Sequence, residues 1–414
     1  MVIPFIAACL MLLIRNDKTR SVVVSVFVAL IMIASVVVAV NYLGKPQLFD
    51  LEIEHVGLLM FVVELILGLI IIGLGAKYRK WHVCILGIIQ IALSAYFEFC
   101  IVEHAHVSHT MYIDDLSVLM ILIIGIIGGL ITLYAVGYMR DFQHHHSDQP
   151  DRRPWFFFLM FVFLSAMYGI VLSNDLVWMY FFWEITTLCS FALIGFTRTE
   201  EARNNSFRQL WMNLIGGIAF IIANILIADQ YGILELNKLL LLNANETYVL
   251  LVVGLLAIAG MVKAAQMPFH TWLLGAMVAP TPTSALLHSS TMVKAGVFLL
   301  LKLSPLLHDN VAGVMVMSVG ALTFLLASMA AISQTNAKRV LAYSTIANLG
   351  LIVACAGVGT AGAAWAGVML LVFHAITKSL MFLCVGTVEH HIGTLQKAEG
   401  LVDLAHLAHL CQRL

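Results

Sequence analysis

Residues 254–301 read GLLAIAGMVKAAQMPFHTWLLGAMVAPTPTSALLHSSTMVKAGVFLLL, and this stretch decides the fold. It places Lys263, His270, His288 and Lys294 in sequence otherwise apolar enough to sit in lipid. A charge at the bilayer centre costs about 3 kcal/mol on the insertion scale, so Lys263 and Lys294 require a compensating partner or a water-filled cavity. Pro268 lies inside the segment from about 248 to 277, where its ring removes a helix hydrogen bond and crowds the carbonyl of Ala264. A broken helix is expected there, because non-helical backbone at membrane depth is tolerated only where it lines a cavity or is buried in protein. Pro280 and Pro282 then bound the turn into the next span.

Outward from this stretch the composition is uniform. Of the 414 residues, 61% are hydrophobic and only 11% charged, and the mean hydropathy is +0.98. A soluble domain cannot hide that much apolar surface. The expected fold class is an all-α polytopic membrane protein with about thirteen transmembrane helices, one of them broken at Pro268, since runs long enough to cross about 30 Å of hydrocarbon recur throughout. Dyad alternation, the mark of a β-barrel, is absent. The first run, Val2 to Ile14, has no basic segment before it and reads as an anchor. The formal net charge of −1 gives no reason to invoke nucleic acid. Seven cysteines show no CxxC pairing, so no metal or iron–sulfur site and no cofactor are expected, and a redox centre would belong to another subunit.

Connecting segments alternate in charge. Arg15, Lys18 and Arg20 are followed by Asp50, Glu52 and Glu54, then Lys77, Arg79 and Lys80, then Glu103, Asp114 and Asp115. Arg140, Arg152 and Arg153 continue the basic side, with Asp175 opposite; Arg198, Arg203 and Arg208 are basic, Asp229, Glu235 and Glu246 opposite, and Lys338 and Arg339 basic again. The positive-inside rule then predicts an N-terminus outside and a C-terminus inside a cytoplasmic (inner) membrane.

Four ionisable groups read as mid-span: Glu184, Lys263, Lys294 and Lys378. His374 and Lys378 are one turn apart, a spacing that puts both on one face and lets a proton pass directly or through one water. His288 and Lys294, six apart, fall on different faces of an ideal helix. His270 serves equally well as a hydrogen bond to a freed carbonyl or as a relay member. The segments Glu103 to His109 and His144 to His146 have metal-like composition but read as aqueous loops, and Trp183, Trp272 and Phe156 to Phe158 as packing or interfacial anchors.

The stretches IDDLSVLMILIIGIIGGLITLYAVGYMRD, FFWEITTLCSFALIGF, MVKAAQMPFHTWLLGAMVAPTPTSALLHSSTMVKAGVFLL, QTNAKRVLAYSTIANLGL and FHAITKSLMFLCVG resemble the antiporter-like subunits of respiratory complex I, of Mrp-type sodium/proton antiporters and of membrane-bound hydrogenases. The resemblance covers about residues 113 to 400. It implies that Glu184 pairs with Lys263 of the broken helix, that Lys294 is the central relay lysine, that His288 is the histidine of the ALLH motif, and that His374 and Lys378 form the following relay. Asn336 stands where an aspartate is usual, and Gly217 where some members carry an aspartate. About two extra spans precede the core. The family normally continues through a second broken helix, whereas this sequence ends at Leu414, so the exit half is expected to be shortened.

The implied organisation is extra transmembrane helices over 1–112, an antiporter-like translocation core over 113–400, and a tail over 401–414. The implied function is movement of H+, or Na+, as a membrane subunit of a redox-driven complex such as an NADH:quinone oxidoreductase or a membrane-bound hydrogenase, through the Glu184, Lys263, Lys294, His288, His374 and Lys378 relay. The partners implied are the lipid bilayer and other membrane subunits of a respiratory or hydrogenase complex, from which any enzyme name such as NADH dehydrogenase would be inherited. A standalone cation/proton antiporter and a truncated scaffolding subunit are the alternatives.

Overall fold

The computed structural model describes residues 1–51, 56–102, 107–145 and 150–395. Glu103 to His106, His146 and the tail over 401–414 lie outside the described residues. The described chain is helical almost throughout, as expected for backbone that must satisfy its own hydrogen bonds in lipid. It opens with α1 (Val2–Leu13), α2 (Asp17–Tyr42), α3 (Val56–Lys77) and α4 (Trp81–Tyr96), the last continued by a π-helical turn, Phe97–Ile101. Then come α5 (Asp115–Leu122), a second π segment, Ile123–Gly128, and α6 (Gly129–His145), followed by α7 (Arg153–Leu172), α8 (Leu176–Ile194) and α9 (Glu200–Tyr231). After the short α10 (Leu236–Leu239) the chain forms α11 (Thr247–Lys263), α12 (Thr271–Gly275), α13 (Thr281–Ser289) and α14 (Met292–Leu303). It closes with α15 (Val311–Ile332), α16 (Ala337–Val358) and α17 (Ala361–Leu395). Two three-residue strands, β1 (Gln47–Phe49) and β2 (Met111–Ile113), pair antiparallel outside the bundle.

Among the described residues eleven segments are long and apolar enough to cross a membrane. The shorter apolar helices α1 and α11 add two more, so the expected spans recur segment by segment. The polar connectors mark their own helix ends: Asn16, Asp114, Asp175, Thr199, Asn310 and Asn336 each accept a backbone N–H as N-cap. Asn336 thus does the capping that an aspartate would do at that position. Ion pairs also respect the charge alternation. Asp17 joins Arg140 and Arg153, Lys302 joins Asp114, and Lys338 joins Glu389, each pair linking ends assigned to one face.

The segment Thr281–Leu307 is 94% buried and forms the axis of the bundle, whereas Val56–Lys77 is only 11% buried and lies at its edge. Backbones come closest where glycines face each other. A Cβ at Gly296 would lie 2.4 Å from the Gly260 carbonyl oxygen, so α11 and α14 touch through small residues, the packing available to helices in lipid.

Two details differ from the sequence reading. The helix that carries Lys263 ends five residues before Pro268, at Lys263 itself. Ala265 takes a left-handed φ of 52°; its N–H reaches Val262 O at 3.1 Å, and Gln266 N–H reaches Met261 O at 2.9 Å. These paired bonds are a Schellman stop. The break is therefore a completed C-terminus, and Pro268 follows it in the turn. The helix carrying His288 is also interrupted before Lys294, at Ser290 and Thr291, so the ideal-helix angle between His288 and Lys294 does not apply.

Candidate functional site

Lys263 is the last residue of α11, where the partial negative charge of a helix end favours a cation. The side chain is fully buried. Its Nζ donates to the Trp183 carbonyl at 2.6 Å and to Thr187 Oγ1 at 2.9 Å, both on α8, and lies 4.6 Å from the centre of the Trp183 ring. Trp183 and Trp272 are buried, so neither is an interfacial anchor. Trp183 supplies a carbonyl and a π face to the lysine; Trp272 Nε1 donates to Val262 O at 3.0 Å and satisfies a carbonyl freed by the break. Met267 N–H is taken up by Thr323 Oγ1 of α15 at 3.1 Å.

Glu184 is buried on the same helix α8, but Lys263 does not bond to it: the lysine's hydrogen bonds go to the neighbouring turn, and Glu184 Oε1 has no hydrogen-bond partner among the described residues. The expected Glu184–Lys263 pair is a neighbouring arrangement of two buried charges without direct contact. Gly217 on α9 leaves the room for this carboxylate, since a Cβ there would lie 2.5 Å from Glu184 Oε1.

Lys294 and His374 do meet. Lys294 Nζ is 2.6 Å from His374 Nδ1 and 3.3 Å from the Leu371 carbonyl, across the contact of α14 with α17. Two protonated cations could not share that hydrogen bond, so the pair holds one proton fewer than two full charges require. His374 Nε2 has no partner. Lys378, one turn further on, is buried and donates to Ser344 Oγ of α16 rather than to His374. His288 is buried with its ring 4.8 Å from that of Phe382, and neither of its nitrogens has a partner. His270 is half-buried, and its Nδ1 is likewise unpartnered. His288, Lys294, His374 and Lys378 are thus buried where α13, α14 and α17 meet, with ring nitrogens of His288 and His374 that have no partner among the described residues, while Lys263 on α11 is bonded to α8.

Two further charged residues, one buried and one half-buried, escaped the sequence reading. Lys302, near the end of α14, pairs with Asp114 at 2.5 Å and lies 5.0 Å from the Tyr112 ring centre. Glu64 stands in the middle of α3 and accepts from Ser94 Oγ at 2.6 Å. The same mid-span criterion that selected Glu184 applies to Glu64 within LMFVVELILGLI. Among the described residues no group of three or more His, Cys, Asp or Glu could hold a metal ion.

The family described as NADH:quinone oxidoreductase/Mrp antiporter, transmembrane, matches residues 173–412, and the N-terminal family of NADH-ubiquinone oxidoreductase (complex I) chain 5 matches residues 99–149. The putative antiporter subunit mnhA2 of Staphylococcus aureus is 36% identical over 301 residues, covering 68% of this chain and 37% of that protein. The Na(+)/H(+) antiporter subunit A1 of Staphylococcus aureus (strain JH9) is 34% identical over 325 residues, covering 73% and 39%. The chain therefore spans well under half the length of these relatives. Among solved structures, the Mrp complex from Dietzia sp. DQ12-45-1b contains a chain 30% identical with a TM-score of 0.65, covering 81% of this chain and 38% of that one. The membrane-bound sulfane sulfur reductase, an archaeal respiratory membrane complex, contains one with the same fold, 24% identical, with a TM-score of 0.60, covering 81% and 71%. The chain is a polytopic, antiporter-like membrane protein that belongs to the NADH:quinone oxidoreductase/Mrp antiporter transmembrane family.

Proposed function

We propose that the chain moves protons across the membrane as one subunit of a multi-subunit cation/proton exchanging assembly, through Glu184, Lys263, Lys294, His288, His374 and Lys378. The observation that carries this reading is the Lys294–His374 hydrogen bond, buried between two helices with no carboxylate among the described residues bonded to either group. A basic pair that shares a proton is poised to accept and pass one. Glu184 near Lys263 supplies the input: the carboxylate's approach or withdrawal alters how strongly the lysine holds its proton. A scaffold has no use for five buried bases, each costly to place in lipid.

The names of the relatives, both antiporter subunits, favour exchange of a cation for H+ as the coupled reaction over coupling to a redox partner. The reading extends to a cytoplasmic membrane location with the N-terminus outside and the C-terminus inside, on the alternation of basic and acidic connectors.

The test is proton uptake by inverted vesicles that contain the complete assembly. Lys263→Ala is expected to abolish uptake while the subunits still co-purify. Unchanged uptake in that variant refutes the relay, and co-purifying redox subunits would replace cation exchange with electron transfer as the driving reaction.

A further inference from the structure

Helices α3 and α4 form a hairpin packed against α8 and α9. A small, mostly apolar cavity lies between the hairpin and α8, with Glu64, Gln90 and Glu184 as its polar lining, and it has room for about one water molecule. Two oxygens of residues on this cavity, Glu184 Oε1 and Gln90 Oε1, are buried without a hydrogen-bond partner. Both residues are more than nine-tenths buried.

The hydrogen bonds around the cavity have a direction. Gln90 Nε2 donates to Tyr180 OH at 2.9 Å, which leaves the phenol proton for Ser94 Oγ at 3.5 Å, and Ser94 donates to Glu64 at 2.6 Å. The row of donors therefore ends on the Glu64 carboxylate. On the other side of Glu64 a second small cavity, again with room for about one water, is lined by Glu64, Ser94, Tyr180 and Glu98 among apolar side chains. Glu98 is partly exposed and sits in the π-helical turn at the end of α4, next to the acidic connector that precedes α5. Such turns occur mostly at functional positions.

We propose that the α3–α4 hairpin is a proton half-channel, through Glu184, Glu64 and Glu98, which connects the buried glutamate with the membrane face that carries the acidic connectors. In each transfer a carboxylic acid gives H+ to a cavity water while the next carboxylate takes one, so charge and atoms balance. The proposal rests on the relay reading of Glu184, and its test separates the two.

Inverted vesicles with the complete assembly would be compared for Glu64→Gln, Glu64→Asp and Lys263→Ala, with rates normalised to assembled complex. Glu64→Gln is expected to slow proton uptake by at least about tenfold, and Glu64→Asp to restore most of it. The infrared difference spectrum between high and low pH should lose one carboxylic acid band in Glu64→Gln. Wild-type uptake, or retention of that band, in Glu64→Gln overturns the half-channel even if Lys263→Ala is inactive. Wild-type uptake in Lys263→Ala overturns the relay itself. If Glu64→Gln does not assemble, Ser94→Ala removes the donor and keeps the carboxylate: slowed uptake supports the path, and unchanged uptake overturns it.

Discussion

Lys294 Nζ and His374 Nδ1 are 2.6 Å apart in the interior of the bundle, and neither residue is exposed. Groups that share one proton act as a unit, so their removal is not additive. Lys294→Ala and His374→Ala are each expected to slow proton uptake at least about tenfold, and the double variant to be no slower than the worse single one. Independent effects in a double-mutant cycle would show that the contact carries no transfer.

The Lys302–Asp114 pair has a different task. It is buried on the lysine side, reinforced by Ser117 Oγ at 3.3 Å and the Tyr112 ring, and it ties the end of α14 to the cap of α5. Burial works to raise the Asp114 carboxyl, but the Lys302 ammonium and the Ser117 N–H hold it below the usual carboxylate range. Removing one partner of such a pair costs about 3–5 kcal/mol, because the other charge is left unpaired. Asp114→Asn should therefore lower the Tm of the assembly far more than Asp114→Asn combined with Lys302→Met.

Ala265 offers a separation of stability from transport. Its φ of 52° places a Cβ in the left-handed region, at a cost of roughly 1–2 kcal/mol that glycine would not incur. Ala265→Gly is expected to stabilise the folded chain by about 1 kcal/mol in chemical unfolding. Destabilisation would mean that the alanine methyl packs more favourably than the backbone is strained.

How far the sequence discloses this arrangement depends on the kind of signal. Apolar length gives the spans, because it follows from local chemistry. Mid-span charge finds Glu184, Lys263, Lys294 and Lys378 for the same reason, and it would have found Glu64 had every span been searched. What spacing does not disclose is partnership. Lys263 bonds to the Trp183 carbonyl and Thr187 instead of Glu184, and Lys378 to Ser344 on another helix, since helix rotation within the bundle sets these contacts. The helix stop at Ala265 hides behind Pro268, because alanine carries no breaker signal of its own.

Titration at the connectors should bend stability in both directions. Burial works to raise Asp151 and Glu235, but Arg153 and Arg20 hold the first, and Lys238, the Ser108 N–H and His109 the second, below the usual range. Their contribution is fully present above their unfolded values near 4 and is lost as pH falls through the depressed folded ones. Asp175 behaves oppositely: burial chiefly, with Glu235 nearby, pushes it up to about 7 despite the Val177 N–H. Its stabilisation is complete below its unfolded value near 4 and lost as pH rises through about 7. Asp175→Asn keeps an N-cap acceptor, so it should raise the Tm at pH 8 and leave it unchanged at pH 4. An equal effect at both pH values would refute the assignment.

Gly217 shows why the carboxylate can sit where it does. Some members of the family are expected to carry an aspartate here, yet a Cβ on this backbone would come within 2.5 Å of Glu184 Oε1 and 3.3 Å of Gln90 Nε2. Glu184 therefore occupies the space that a side chain at 217 would fill, leaning towards the α3–α4 hairpin and its cavity. Gly217→Ala should push the carboxylate aside without introducing a charge. The expected outcome is normal assembly with proton uptake reduced at least about tenfold. Gly217→Asp should be no better, since it adds a second carboxylate to the same space. Full activity in Gly217→Ala would mean that Glu184 works from a rotamer turned away from the hairpin.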